Sequence, residues 1–184
     1  MDAKFELEGV KEALEMVSSD MARKAIRSAL DKTGTFAKRE ITDGIIKEYN
    51  IKAKDVRSRI GIIRTKIDRL EVWLKIKSPQ LSLLHFGARQ APMGVLVNIR
   101  RDKLTFISKA WLSERYAAIR KIRPWLKGTK DRQRYLKMKG LPGPSVPDMA
   151  KHTIERLTRT NILIDFMKNT FDEELKKRMT SKIK

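Results

Sequence analysis

The chain has 184 residues, a length typical of one domain with a substantial hydrophobic core. It carries 42 Lys and Arg against 22 Asp and Glu, and the net charge of +20 suits a polyanionic partner or an acidic protein surface. The sequence contains no cysteine, which excludes disulfides, thiolate zinc sites and cysteine nucleophiles.

Hydropathy argues against a membrane protein. The segment Met1–Glu6 has no apolar signal core, and no apolar run approaches the roughly 18 residues of a membrane helix. We therefore expect a soluble protein of the cytoplasm, or of a particle assembled there.

Charge is distributed unevenly along the chain. Residues 1–49 hold 9 basic and 10 acidic side chains, and residues 50–99 hold 10 and 3. Residues 100–139 hold 14 basic and 3 acidic side chains, whereas residues 140–184 hold 9 and 6. The basic middle of the chain is therefore the predicted contact surface.

The N-terminal quarter predicts a short strand and a long helix. Apolar and acidic residues alternate at Phe5–Leu7, which is typical of a short edge strand. From Met21 to about Tyr49, apolar residues recur with a period near 3.6, so we predict one long amphipathic helix. Gly34 and Gly44 each weaken this helix by roughly 1 kcal/mol relative to Ala, and we expect a bend or a close contact at either.

The next segment predicts a helical turn and a small sheet. The turn is expected at Lys52–Arg59, and strands are expected at Ile60–Arg64 and Leu70–Lys77. The second strand alternates apolar and charged residues, so one of its faces should be buried and the other basic. The apolar run Leu81–Phe86 predicts another short strand, ending at Gly87.

A hairpin is predicted where Val95–Ile99 and Leu104–Ile107 flank a charged tip. The residues of the tip are Arg100, Arg101, Asp102 and Lys103.

The remaining segments predict a loop and a second long helix. Residues 111–131 have no clean period and predict an extended loop, with one helical turn around Arg115–Ile122. From His152 to Met179, apolar residues at helical spacing predict the last helix. The predicted fold class is α+β: a small, mainly antiparallel sheet packed against a long N-terminal and a long C-terminal helix, with a protruding basic loop, in one domain spanning residues 1–184.

A segment rich in proline and glycine, Lys139–Met149, precedes the predicted last helix. It contains three of the chain's six prolines and two of its nine glycines, so it can be neither a helix nor a central strand. Each X-Pro step favours an extended predecessor, which predicts a stiff turn that delivers Asp148 to the start of the helix. On composition alone, an ordinary connector is the alternative to a functional turn.

The most specific motif consists of Arg134-Tyr135-Leu136-Lys137 and then Gly143-Pro144-Ser145-Val146-Pro147-Asp148-Met149. It resembles the closing motif of the minor tail protein Z family of tailed bacteriophages, also called tail-completion or neck proteins. In that family a short basic strand runs into a Gly-Pro-Ser-Val-Pro turn and then a C-terminal helix. The order of the predicted elements is also similar from end to end.

The resemblance implies a non-catalytic structural protein of the virion, at the head-proximal end of the tail, assembled in the host cytoplasm. The implied partners are copies of the same chain, in a ring expected to be a hexamer, and tail tube, tail terminator or head-tail connector proteins. DNA would occupy the lumen without sequence specificity, and no cofactor, metal or membrane is expected.

The same hypothesis assigns two sets of contact residues. The candidates for the subunit interface are Leu136, Pro142, Gly143, Pro144, Ser145, Val146, Pro147 and Met149. The candidates to meet DNA or an acidic partner are Arg100, Arg101, Lys103, Arg120, Lys121 and Arg123.

Sequence patterns typical of enzymes are missing. There is no glycine-rich phosphate loop followed by Lys-Ser/Thr, and no Gly-x-Ser-x-Gly elbow. We expect His85 at a sheet edge beside Phe86, and His152 as a solvated side chain of the last helix. The acidic cluster Asp172–Glu174 is explained by charge pairing within its helix, so we expect no metal site and no catalysis.

A free basic nucleic-acid-binding protein is the alternative. Residues 100–139 interleave 14 cations with aromatic residues, the ingredients of a single-strand platform or a phosphate-tracking groove. These aromatic residues are Trp111, Tyr116, Trp125 and Tyr135. However, strand aromatics more often fill cores, and no motif for sequence readout is present.

Overall fold

In the computed structural model, the described residues are 2–3, 20–66, 69–112, 119–122 and 137–182. Side chains are described in these ranges except at 2–3, 119–122, 137–140 and 181–182. The predicted strand at Phe5–Leu7 lies outside the described residues.

Helices lie before and after a middle section of short strands, and the α+β prediction is confirmed. The first elements are β1 (Asp2–Ala3), α1 (Asp20–Glu48), α2 (Ala53–Arg57), β2 (Ile60–Ile63) and β3 (Trp73–Ile76). A 3₁₀ helix (Leu83–Phe86) is followed by β4 (Arg89–Ala91), β5 (Gly94–Arg100), β6 (Lys103–Ser108) and β7 (Ala110–Trp111). The last elements are β8 (Ile119–Ile122), β9 (Lys137–Gly140), α3 (Val146–Arg159) and α4 (Ile162–Lys182).

The described strands form three antiparallel sheets of three strands each. Their strand orders are β1-β3-β2, β4-β5-β6 and β7-β8-β9. The predicted strands at Ile60–Arg64 and Leu70–Lys77 pair through Ile60 with Ile76 and Ile63 with Trp73. The predicted hairpin is present as β5 and β6, with Arg100 paired to Lys103 at its tip.

The helix α1 organises the core because α3, α4 and the first sheet all pack against it. Its apolar stripe is buried at Ile41 and Ile45, as the 3.6-residue period predicts. Phe36 stacks on Phe166 of α4 with ring centroids 4.2 Å apart. Other large, fully buried side chains of this core are Leu74, Ile76, Leu81, Leu83, Phe86, Val95, Met149 and Leu157.

Both glycines of α1 lie at close contacts. A Cβ at Gly44 would clash with the side chain of Thr153, where α3 crosses α1. A Cβ at Gly34 would lie 2.9 Å from Cγ1 of Val72. Close packing therefore explains both glycines, each of which lowers helix propensity.

The predicted strand at Leu81–Phe86 is wrong, because Leu83–Phe86 forms a 3₁₀ helix. Side chains three residues apart share one face of a 3₁₀ helix, and Leu83 and Phe86 are both buried. The helix ends at Gly87, whose φ of 68° lies in the left-handed region that favours glycine. A short apolar run without alternation fits either assignment, so packing decided the outcome.

The predicted single C-terminal helix needs two corrections. The helix α3 begins at Val146 rather than at His152, because Val146 and Pro147 form its first turn. The chain then leaves helical geometry at Thr160, whose ψ is 122°, and α4 begins two residues later. The Thr160 hydroxyl and backbone N–H both donate to the Arg156 carbonyl, which closes α3.

The predicted helical turn at Arg115–Ile122 is also corrected. Residues 119–122 form the strand β8, which pairs with both β7 and β9. Residues 113–118 and 123–136 of the predicted loop and its flank lie outside the described residues.

Candidate functional site: the proline segment, the hairpin tip and the Trp73 row

The proline segment, defined here as residues 142–149, is fastened to the chain that leads into the 3₁₀ helix. The Gly143 N–H donates to the Leu81 carbonyl at 2.7 Å, and the Leu81 N–H donates to the Pro144 carbonyl at 3.3 Å. Pro142 forms an antiparallel bridge with Ser82. The segment therefore behaves as a short added strand, although its prolines have no N–H to donate.

Gly143 allows this pairing because the backbone passes directly over an aromatic ring. A Cβ at this position would lie 2.8 Å from Cε2 of Phe86 and 3.3 Å from the Leu81 carbonyl oxygen. Phe86 is fully buried, so the ring has little room to move. Any larger residue at 143 would push the segment away from the core.

A capping box completes the segment at the start of α3. The Asp148 N–H donates to Oγ of Ser145, and the Ser145 N–H donates to Oδ2 of Asp148, both at 3.3 Å. The Ser145 hydroxyl also donates to Oδ2 of Asp148 at 2.5 Å. These hydrogen bonds from Ser145 hold the pKa of the Asp148 carboxyl below its usual value.

The interface candidates divide by exposure. Val146 and Met149 are 0% and 1% exposed, so their side chains belong to the chain's own core and not to its surface. Pro142 is exposed, and Pro144 and Pro147 are partly exposed. Gly143 and Ser145 are buried by the contacts given above, and Leu136 lies outside the described residues.

The tip of the β5–β6 hairpin docks on the C-terminal end of α1. Arg101 donates from Nε to the Ile46 carbonyl at 2.7 Å and from its backbone N–H to the Glu48 carbonyl at 3.0 Å. The Arg100 guanidinium lies 5.8 Å from the centre of the Tyr49 ring. A cation at this end of a helix satisfies open carbonyls and the negative end of the dipole.

The hairpin tip thus contributes to the fold as well as to surface charge. Lys103 is exposed at the tip, whereas Arg101 is engaged with α1. Arg120 and Lys121 belong to β8, where only the backbone is described, and Arg123 lies outside the described residues. Among the six candidates, the described side chains are therefore those of Arg100, Arg101 and Lys103, which lie together at the hairpin tip.

A second basic surface lies on the outer face of the β1-β3-β2 sheet. Leu74 and Ile76 point into the core, so the alternate residues of β3 face outward, as the alternation predicts. Glu71 Oε2 accepts from Nε1 of Trp73 at 3.0 Å and lies 3.1 Å from Nε of Arg69. We call this outward line of residues the Trp73 row: Arg69, Glu71, Trp73, Lys75 and Lys77.

The Trp73 row was not among the residues selected from the sequence. Its signal was present in the alternation of Leu70–Lys77, which predicted a basic face. The additional fact is that Arg69 and Trp73 share one carboxylate, which fixes an indole beside a guanidinium. That pairing depends on side-chain geometry and could not be read from spacing alone.

The two histidines are paired with carboxylates. Nδ1 of His85 lies 3.0 Å from Oδ2 of Asp55, so the predicted sheet-edge position is replaced by a contact with α2. Nδ1 of the mainly exposed His152 lies 3.2 Å from Oε1 of Glu48. Within the described ranges, no three His, Asp or Glu side chains group in a way that could hold a metal ion.

The acidic cluster of α4 pairs across helices as well as within one. Glu174 accepts from Nζ of Lys32 on α1 at 2.6 Å, and it lies 3.5 Å from Arg178 of its own helix. The hydrogen bond from Lys32 is the main reason that the pKa of Glu174 is lowered. The expectation of purely intrahelical pairing is therefore corrected for Glu174.

None of the helices in the described part of the chain has the length and apolar character needed to cross a bilayer. Comparison of the chain with protein-family models, with curated proteins and with solved structures finds no match in any of the three.

Proposed function

We propose that this protein is a non-catalytic structural subunit of a phage tail, which completes the tail or joins it to the head as a ring around the DNA channel. The observation that supports this proposal is the Gly-Pro-Ser-Val-Pro turn, which resembles the family motif and is held rigidly at the surface. One end is hydrogen-bonded to Leu81, and the other end forms the capping box of α3.

Rigidity suits a docking element. A segment that is already ordered loses less conformational entropy when a neighbour binds to it. In this proposal the exposed and partly exposed prolines, Pro142, Pro144 and Pro147, form the contact, and the buried Val146 and Met149 support it from below. Closed cyclic symmetry would repeat the basic surface of each chain around the lumen.

The test is a double substitution, Pro144→Gly with Pro147→Gly. Each change costs about 0.4–1 kcal/mol through the entropy of the unfolded chain, which is small beside a typical domain stability of about 5–15 kcal/mol. We therefore expect a folded monomer by circular dichroism but loss of rings in light scattering and negative-stain electron microscopy.

The matched control is Pro79→Gly, which makes the same chemical change at an exposed proline outside the segment. This variant should assemble like the wild-type protein. If the double variant also forms normal rings or joins particles normally, the assigned contact is incorrect.

The alternative function is that of a free basic nucleic-acid-binding protein. The Trp73 row favours it, because exposed lysines lie beside a partly exposed indole. Size measurement with and without DNA separates the two functions. Ring formation by the protein alone supports assembly, whereas a shift that requires DNA supports the alternative.

A further inference from the structure

We infer that the outer face of the β1-β3-β2 sheet binds single-stranded nucleic acid through the Trp73 row. The inference rests on the geometry of this face and holds for a subunit of a ring or for a free protein. It therefore does not depend on the proposed tail function.

The first argument is the arrangement of charge and aromatic surface. Residues two apart on a strand lie on the same face about 7 Å from each other, so Trp73 and Lys75 lie side by side on the outer face of β3, and Lys77 follows directly after the strand. Lys75 and Lys77 are exposed, and Arg69 at the other end of the row is 68% exposed at its side chain. Cations on both sides of an indole are the arrangement that holds a phosphate backbone while a base contacts the ring.

The second argument is the fixed position of the indole. Glu71 accepts from Trp73 and lies beside Arg69, so one carboxylate orients both groups. An aromatic ring that is already oriented loses less entropy when a base stacks on it. Across the strand pair, Ile63 lies opposite Trp73 and is 50% exposed, which extends the apolar surface beside the ring.

The third argument is the open space next to Lys75. Gly61 lies opposite Lys75 in β2. Among the described residues, a Cβ at Gly61 would come near only the Lys75 carbonyl oxygen, at 3.7 Å. The β2 side of Lys75 therefore carries no side chain, so a nucleotide can approach the lysine from that side, whereas Asp2 of β1 lies opposite Lys75 on its other side.

The chain between β2 and β3 is anchored to α1 and carries further positive charge beside the Trp73 row. Asp31 of α1 accepts from the backbone N–H and the hydroxyl of Thr65 at 3.0 and 3.1 Å. Beyond this anchor, Lys66 and Arg69 exchange two backbone hydrogen bonds of 3.1 Å. Arg64 and Lys66 are exposed there, so positive charge continues from the sheet face along this connection.

Single-stranded nucleic acid fits this face better than an acidic peptide does. Lysines alone would serve an acidic peptide, but a partly exposed indole beside an exposed isoleucine suits the π-face of a base. In a duplex the bases are stacked on each other and cannot reach Trp73. We therefore expect the chain to prefer a single strand over a duplex of the same length.

The experiment measures fluorescence anisotropy of a labelled oligothymidylate of about 20 nucleotides, at salt from about 50 to 200 mM. We expect Lys75→Gln with Lys77→Gln to lower the affinity about tenfold and to reduce the logarithmic salt slope by about 1.4. The control, Lys151→Gln with Lys168→Gln, removes two exposed lysines from α3 and α4 and should change neither value appreciably. Equal losses in the two variants would overturn the site, because net charge alone would then explain binding.

A second variant tests the ring. We expect Trp73→Leu to weaken binding of the single strand at least fivefold, roughly the loss of one stacked base, while Trp73→Phe keeps most of the affinity. Photo-crosslinking of the wild-type chain to oligothymidylate should place the crosslink in the peptide that contains Trp73, and this needs no variant. A crosslink confined to other peptides, or equal affinity for polyglutamate, would refute the inference.

Discussion

At the start of α3, Ser145 and Asp148 satisfy each other's backbone N–H groups, so two residues determine where the helix begins. Replacing an N-cap serine by alanine typically costs about 1 kcal/mol. The sequence placed Asp148 near a helix start, but it did not identify Ser145 as the N-cap. The spacing of Ser145 and Asp148 is close to the Ser-x-x-Glu pattern of a capping box, which could have revealed it.

The lowered pKa of Asp148 makes this cap sensitive to acid. A carboxyl whose pKa is depressed by folding stabilises the folded state above its unfolded pKa, and the contribution is lost as pH falls through the folded pKa. We expect wild-type protein to be more stable than Asp148→Asn at pH 7, and the difference to shrink as pH drops below about 4. Urea denaturation of both proteins at several pH values measures this difference, and a difference independent of pH would contradict the account.

Arg101 also acts through backbone groups, at the C-terminal end of α1. Arg101→Met keeps much of the side-chain stem but removes the hydrogen bond to Ile46 and the charge at the helix end, so we expect a loss of about 1–2 kcal/mol. Lys103→Met changes an exposed cation of the same hairpin and should have little effect. The free energy of unfolding in urea compares the two variants, and equal values would show that Arg101 does not anchor the hairpin.

At the scale of elements, α1 and α3 cross at Gly44, where the contact is closer than that at Gly34, the other glycine of α1. Gly44→Ala places a methyl group against Thr153, and we expect overpacking to cost about 1–3 kcal/mol despite the better helix propensity of Ala. The further change Thr153→Ala should recover part of this loss, because it removes the atoms that clash.

A double-mutant cycle of these two changes measures their coupling, which we expect to be about 1 kcal/mol or more. Gly61→Ala is the comparison at a glycine with an ordinary contact distance of 3.7 Å. Strictly additive effects of Gly44→Ala and Thr153→Ala on the free energy of unfolding would show that the added methyl group and Thr153 do not interfere with each other.

Elements with long, regular patterns were predictable from the sequence. The helix α1 was predictable because many residues repeat one period, and the β5–β6 hairpin because two apolar runs flank a charged tip. The 3₁₀ helix at Leu83–Phe86 and the break at Thr160 were missed because each depends on a few residues and on tertiary packing. The contact of Arg101 with the end of α1 could not be predicted either, because a charged hairpin tip has the same sequence whether it faces solvent or a helix end.

For the whole molecule, net charge predicts opposite salt responses for the two kinds of association. Copies of a chain with a charge of +20 repel each other, so added salt should favour ring formation by the protein alone. Binding of nucleic acid releases counterions, so added salt should weaken it. Light scattering and anisotropy across one salt series measure both, and association of the protein alone that weakens with salt would contradict this prediction.

The attachment of Gly143 and Pro144 to Leu81, above the Phe86 ring, has a mechanical consequence. A force that a bound neighbour applies to this segment is transmitted directly to Leu81 and Phe86, which belong to the buried core. Such a joint should hold under tension until the interior itself yields, and its lifetime would then follow the unfolding rate of the whole chain.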